Sequence, residues 1–174
     1  EFLPISSSGH LVLVQEILGL ELPGNDFEIL LHLGTLCSII VVFFKDIKDI
    51  LFSISLKKTQ RFILMIFIGT IPAVIVGLGL KDSIEQLFDD FLVVGFALIF
   101  TGLILISSSY FKRQDNEYSI FSSFLIGLAQ AVAIIPGISR SGMTISCALL
   151  LGLDSKKAAK FSFLLAIPVI GGAG

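Results

Sequence analysis

The chain has 174 residues, 55% of them hydrophobic and 15% charged, with a formal net charge of −2 and a mean hydropathy of +0.97. A soluble domain carries roughly 25% charged residues, so this chain lacks the polar surface to coat a water-exposed globule, and a soluble enzyme is excluded. Sixteen Phe and long Leu, Ile and Val runs exclude a disordered chain; the near-neutral balance excludes a nucleic-acid binder, which needs a basic face. The bilayer is the solvent that fits.

In chain order, a turn signal comes first, Pro4-Ile5-Ser6-Ser7-Ser8-Gly9, followed by an apolar stretch, His10 to Leu20, of only 11 residues. A helix needs about 20 residues to cross the hydrocarbon core, so this stretch is predicted to enter the membrane without crossing it. Four stretches long enough or nearly long enough to cross follow: Phe27 to Phe44, Phe62 to Leu80, Phe91 to Ser107 and Ser119 to Ile135. A second turn, Pro136-Gly137-Ile138-Ser139-Arg140-Ser141-Gly142, precedes a second short apolar stretch, Met143 to Leu153. The last run, Phe161 to Gly174, stops at 14 residues, short of a span, so the sequence reads as a piece of a longer membrane protein. No charged leader ahead of an apolar segment marks a cleavable signal. Cys37 and Cys147 are too few for a disulfide framework and read as small buried residues.

The charges between the spans are sorted by sign. Lys45, Lys48, Lys57, Lys58 and Arg61 lie in the first connection, Lys112 and Arg113 in the third, and Lys156, Lys157 and Lys160 before the last run. The connection from Lys81 to Asp90 has Lys81 against Asp82, Glu85, Asp89 and Asp90, and Gln15 to Glu28 has acidic residues alone. By the positive-inside pattern, the basic connections are cytoplasmic and the acidic ones face outward. Arg140 belongs to neither set.

The chain also repeats itself. Ile5-Ser-Ser-Ser-Gly9 matches Ile138-Ser-Arg-Ser-Gly142, Gly19-Leu20 matches Gly152-Leu153, and Phe27-Glu-Ile-Leu-Leu matches Phe161-Ser-Phe-Leu-Leu, all offset by about 133 residues. Three matches in register point to duplicated halves, with repeat 1 at about 1–90 and repeat 2 at about 91–174. Because the loop after Gly19 is acidic and the one after Gly152 basic, the halves run in opposite senses across the membrane. The expected architecture is a single all-α integral membrane domain, an inverted repeat whose two re-entrant helix pairs meet near the midplane.

The tips of those pairs carry the chemistry. Ser6, Ser7, Ser8, Ser139 and Ser141 are good helix N-cap residues. Two helix starts aimed at one point offer free N–H groups and positive dipole ends, a setting for an anion. Arg140 adds a planar, permanently charged fork suited to phosphate oxygens, and a charge at membrane depth needs a task or a partner; an ion pair with Glu1 is the plainer alternative. His10 follows Ser6 and Ser7 at helical spacing, on their face. Carboxylate, Ser, His and Arg are the parts needed for phosphoryl transfer. His32 sits mid-span without such company and reads as structural.

Glu1-Phe-Leu-Pro-Ile-Ser-Ser-Ser-Gly-His10 and Pro136-Gly-Ile-Ser-Arg-Ser-Gly142 resemble the two signature motifs of the bacitracin-resistance type undecaprenyl-diphosphate phosphatases, and the similarity runs the length of the chain. The resemblance implies a multi-pass enzyme of the bacterial inner membrane that hydrolyses a C55 isoprenyl diphosphate to the monophosphate carrier lipid of cell-wall synthesis. It also implies re-entrant helices, a divalent cation (magnesium or calcium) and an active site open to the periplasm. By position, it places the essential carboxylate and metal ligand on Glu1, the catalytic serine and histidine on Ser7 and His10, and the arginine on Arg140. Ser6, Ser8, Ser139, Ser141, Gly142 and Thr144 would surround the phosphate. A further glutamate of the first motif falls before residue 1, and the matching place in the second repeat holds Gln130. Either Ser7 attacks with His10 as base, or His10 is itself the nucleophile.

Two rivals remain at this level. An inverted-repeat secondary transporter or flippase for an anionic substrate would share the broken helices. The phosphatidic-acid phosphatase type 2 superfamily has similar Ser-Gly-His and Ser-Arg elements, but it needs a His and an Asp where this chain has Ser146 and Leu150.

Overall fold

A computed structural model describes residues 2–19, 26–88, 90–110 and 116–173. Among these residues the chain is all-helical: α1 (Ser7–Leu18), α2 (Asp26–Val42), α3 (Phe44–Phe52), α4 (Lys57–Gly79), α5 (Lys81–Phe88), α6 (Phe91–Ser108), α7 (Ile120–Val132), α8 (Arg140–Leu150) and α9 (Ser155–Ala173). Two of them, α4 and α6, are long and apolar enough to cross a membrane. The part of α2 from Leu30 onward would form a third span with α3, bent by 67° at the break. At 12 and 11 residues, α1 and α8 match the two short stretches expected to stop short of a crossing; at 1.5 Å per residue each reaches less than about 20 Å.

The long helices bury their small residues and expose their large ones. On α4, Met65, Gly69, Thr70, Pro72 and Ala73 are buried, while Leu64, Phe67, Ile71, Ile75 and Leu78 are exposed at helical spacing. On α6 the buried stripe is Val94, Ala97 and Thr101, and Leu92, Phe96, Ile99, Leu103 and Ile106 are exposed. Such an arrangement suits lipid, where the outer face gains nothing from being polar and close packing needs small residues between helices. The tightest case joins α4 to α7, the most extensive helix pair of the fold: a Cβ on Gly127 would collide with the Gly69 carbonyl.

One core cluster joins Met65, Ile126, Ala148, Leu153, Phe161 and Leu165; a second joins Ile39, Ala166 and Ile170. Both run through α9, which packs on α2, α4 and α8. At the basic end, Tyr118 donates from its hydroxyl to the Lys157 carbonyl (3.1 Å), Lys157 pairs with Glu117 (2.8 Å), and Lys160 with Asp46. Burial and the neighbouring Asp154 push the Tyr118 phenol up to about 12. One expectation fails here: Cys37 is exposed, on the lipid-compatible face of α2, and Cys147 is only half-buried. In a bilayer an apolar thiol has no reason to be buried.

Candidate active site

Each serine-rich turn ends in the same cap. Ser6 accepts at Oγ from the Gly9 N–H (3.3 Å), and Ser139 accepts at Oγ from the Gly142 N–H (3.1 Å). The neighbouring hydroxyls, Ser8 beside Ser6 and Ser141 beside Ser139, lie 3.4 Å away in both turns. The caps therefore start α1 and α8, as the sequence implies, each satisfying one first-turn N–H group.

The two turns touch. A Cβ on Gly9 would lie 2.9 Å from the Gly137 Cα, and one on Gly142 would lie 3.2 Å from the Pro4 carbonyl oxygen. Gly137 has φ +91°, and a Cβ there would sit 2.6 Å from the Val94 carbonyl of α6, so only glycine fits. Thr101, further along the same buried stripe, fixes the second turn from α6: its Oγ1 donates to the Gly137 carbonyl and accepts from the Ser139 N–H, both at 3.1 Å. Ser6 is the one described non-glycine residue with positive φ, at 64° with ψ 95°, outside the compact left-handed well and thus strained.

Between the turns lies a cavity of about 240 Å³ lined by Ser6, Ser7 and Ser8 from the first turn, Ser139, Arg140 and Ser141 from the second, and His32, Gln130 and apolar residues including Ala73, Ile138 and Ile170. Arg140 is the one fixed charge among the described lining residues. Two helix N-termini, five hydroxyls and a guanidinium around one space are groups whose chemistry favours an anion.

The expected residues divide as follows. Ser6, Ser7, Ser8, Ser139, Arg140 and Ser141 come together in the cavity wall. Gly142 and Thr144 stand behind it: Gly142 closes the cap, and Thr144 turns its hydroxyl to the Arg140 and Ser141 carbonyls and to Ser162 (2.5 Å). His10 is exposed and does not line the cavity; its Nδ1 donates to the Ser6 carbonyl at 2.7 Å, which leaves Nε2 as the nitrogen that can take a proton. Glu1, expected as carboxylate and metal ligand, lies outside the described residues. Among the described residues no group of three or more His, Cys, Asp or Glu is placed to hold a metal ion.

His32, which its sequence neighbours mark as structural, lines the cavity together with Gln130. For His32 the available signal is a polar ring inside an apolar span. For Gln130 it is a place nine residues before Ser139, within an otherwise apolar helix end.

Fold and cavity thus define an all-helical chain with helices apolar and long enough to cross a membrane, and a cavity lined by two capped helix starts and one arginine. The chain belongs to the family described as bacitracin resistance protein BacA, whose profile matches residues 1–174. It is 44% identical to an undecaprenyl-diphosphatase of Halothermothrix orenii, over all of this chain and 68% of the relative. It is 47% identical to an undecaprenyl-diphosphatase of Carboxydothermus hydrogenoformans, over 99% of this chain and 66% of the relative. The chain spans about two thirds of the length of these relatives.

Proposed function

We propose that this chain carries the catalytic site for hydrolysis of undecaprenyl diphosphate to undecaprenyl phosphate and inorganic phosphate, recycling the carrier lipid of cell-wall synthesis and conferring bacitracin resistance. The observation that carries this reading is the cavity in which both serine-capped helix starts and Arg140 converge, in a member of the BacA family. The reading includes a multi-pass protein of the bacterial inner membrane, an inverted repeat with two re-entrant pairs, and a site open to the periplasm. The identical caps and reciprocal glycine contacts of the two turns, about 133 residues apart, support the repeat.

In this mechanism the terminal phosphate sits among the helix-start N–H groups and the Ser139 and Ser141 hydroxyls, with the Arg140 fork on its oxygens. The isoprenyl tail stays in lipid along the exposed apolar faces. Ser7 lines the cavity and His10 does not, which favours Ser7 over His10 as the attacking group. The Ser7 oxygen bonds to the terminal phosphorus while the bridging P–O bond breaks, the serine proton passes to His10 Nε2, and undecaprenyl phosphate leaves. A water oxygen then bonds to the phosphorus as the Ser7 Oγ–P bond breaks, His10 returns its proton to Ser7 Oγ, and the water's protons stay on the departing inorganic phosphate. A divalent cation, magnesium or calcium, held with Glu1, is part of the proposal and would screen the charge of the diphosphate.

The test is phosphate release from a long isoprenyl diphosphate by the purified protein in detergent. Ser7→Ala and Arg140→Ala are expected to lose about 10²-fold or more in kcat/KM, and His10→Ala a loss within the roughly 10²- to 10⁴-fold range of a general base. Wild-type rates in all three variants would remove the site assignment. A protein that releases no phosphate but moves a labelled anion or lipid across vesicles would be a carrier instead.

A further inference from the structure

Gln130 is the most deeply buried polar side chain among the described residues of the cavity wall, at 2% exposure, and neither its Nε2 nor its Oε1 has a hydrogen-bond partner among the described residues. It stands in the last turn of α7, where the nearby lining residues Ala133 and Ile134, like Ala73 and Ile170, are apolar. A buried amide left in that state carries its full desolvation cost, and native proteins pair nearly all such groups. The described residues of the cavity wall do not satisfy this one, which points to an occupant of the cavity as its partner.

The chemistry of that occupant follows from the other groups present. Arg140, the serine hydroxyls and two helix starts select an anion with several acceptor oxygens. An amide adds N–H donors without adding charge, whereas a carboxylate at the same place would repel such an anion. We infer that Gln130 is a substrate-contacting residue that donates from Nε2 to a non-bridging oxygen of the bound diphosphate, a contact made from α7 independently of the two serine-rich turns. This rests on the diphosphatase reading above and adds a contact to it.

The inference separates stability from binding. Methionine matches glutamine in length and removes both unsatisfied atoms, so Gln130→Met should unfold at or above the wild-type temperature. Its KM for a long isoprenyl diphosphate should rise about tenfold or more, with a smaller change in kcat. The thermal shift given by inorganic pyrophosphate should shrink in parallel. Gln130→Glu, equal in shape, loses the donor and gains a like charge, and should weaken both more than Gln130→Met. Wild-type KM and pyrophosphate shift in Gln130→Met would overturn the inference, leaving a buried water as the partner of the amide. A Gln130→Met protein that unfolds well below wild type would overturn it too, because the amide would then be satisfied within the fold. If wild type itself neither releases phosphate nor responds to pyrophosphate, it is the diphosphatase reading that fails.

Discussion

Gly9 of the first serine-rich turn lies against Gly137 of the second, so close that a Cβ on Gly9 would stand 2.9 Å from the Gly137 Cα and 2.9 Å from the Leu98 side chain. The reverse contact, Gly142 on the Pro4 carbonyl, completes the pair. The gap between the turns is therefore set by backbone meeting backbone, and side-chain adjustment cannot absorb an added methyl group.

Gly9→Ala is accordingly expected to lower stability by about 1–3 kcal/mol, the usual cost of overpacking. Gly137→Ala should cost more, since the left-handed φ of +91° and the 2.6 Å approach to Val94 act together. Gly34→Ala, in an exposed part of α2 with nothing within 4 Å of the new Cβ, should instead gain up to about 1 kcal/mol of helix propensity. Thermal unfolding in one detergent ranks all three; a Gly9→Ala protein as stable as wild type would mean that the turns do not touch.

Thr101 is the side chain that holds the second turn to α6, with one bond given to Gly137 and one received from Ser139. Thr101→Val keeps the shape and orphans a buried N–H, for a cost of about 1–3 kcal/mol. Because the displaced residue is the cap of α8, phosphate release should fall along with stability. Thr101→Ser retains the hydroxyl and should recover most of both, a rescue that a merely space-filling role would not give.

Ser6 combines a useful cap with a strained backbone. Ser6→Gly relaxes a φ of 64° and gives up only a few tenths of a kcal/mol of capping, so a net gain of about 1 kcal/mol is expected. Ser6→Ala keeps the strain and loses the bond to the Gly9 N–H, for a loss of about 1 kcal/mol. Since Ser6 also lines the cavity, Ser6→Gly should be more stable and less active, the trade expected where strain serves a site. Equal stability in the two variants would show the strain to be absent.

The proposed orientation is tested by labelling. A single cysteine at Ser55, exposed in the basic connection before α4, introduced into a protein whose Cys37 and Cys147 are replaced by Ala, should react with an impermeant maleimide only after the cytoplasmic side is opened. Reaction in intact cells would invert the topology.

Local features are legible in the residues themselves. The serines of Pro4 to Gly9 and Pro136 to Gly142 mark helix starts because capping is a property of a few adjacent residues, and α1 and α8 begin there. The apolar lengths of α4 and α6 follow from composition in the same way. Thr101 is not legible as functional, since it sits in an apolar helix and takes its meaning from a partner brought up by another segment; for Gln130 the residues give its place in the repeat, and only the fold gives its burial in the cavity wall. The depth of Cys37 is hidden for a related reason: in lipid, hydrophobicity does not say which face of a helix is inside.

The medium, the helices with their capped starts and the sorting of charge follow from the residues alone, because solvation and hydrogen bonds within a few positions settle them. That the two starts share one cavity with Arg140, Gln130 and His32 is a matter of tertiary packing. It depends on contacts between segments more than 100 residues apart, Gly9 on Gly137 and Gly142 on Pro4, where the absence of a side chain lets two backbones meet. No local propensity encodes such a meeting; it is a property of how the helices pack.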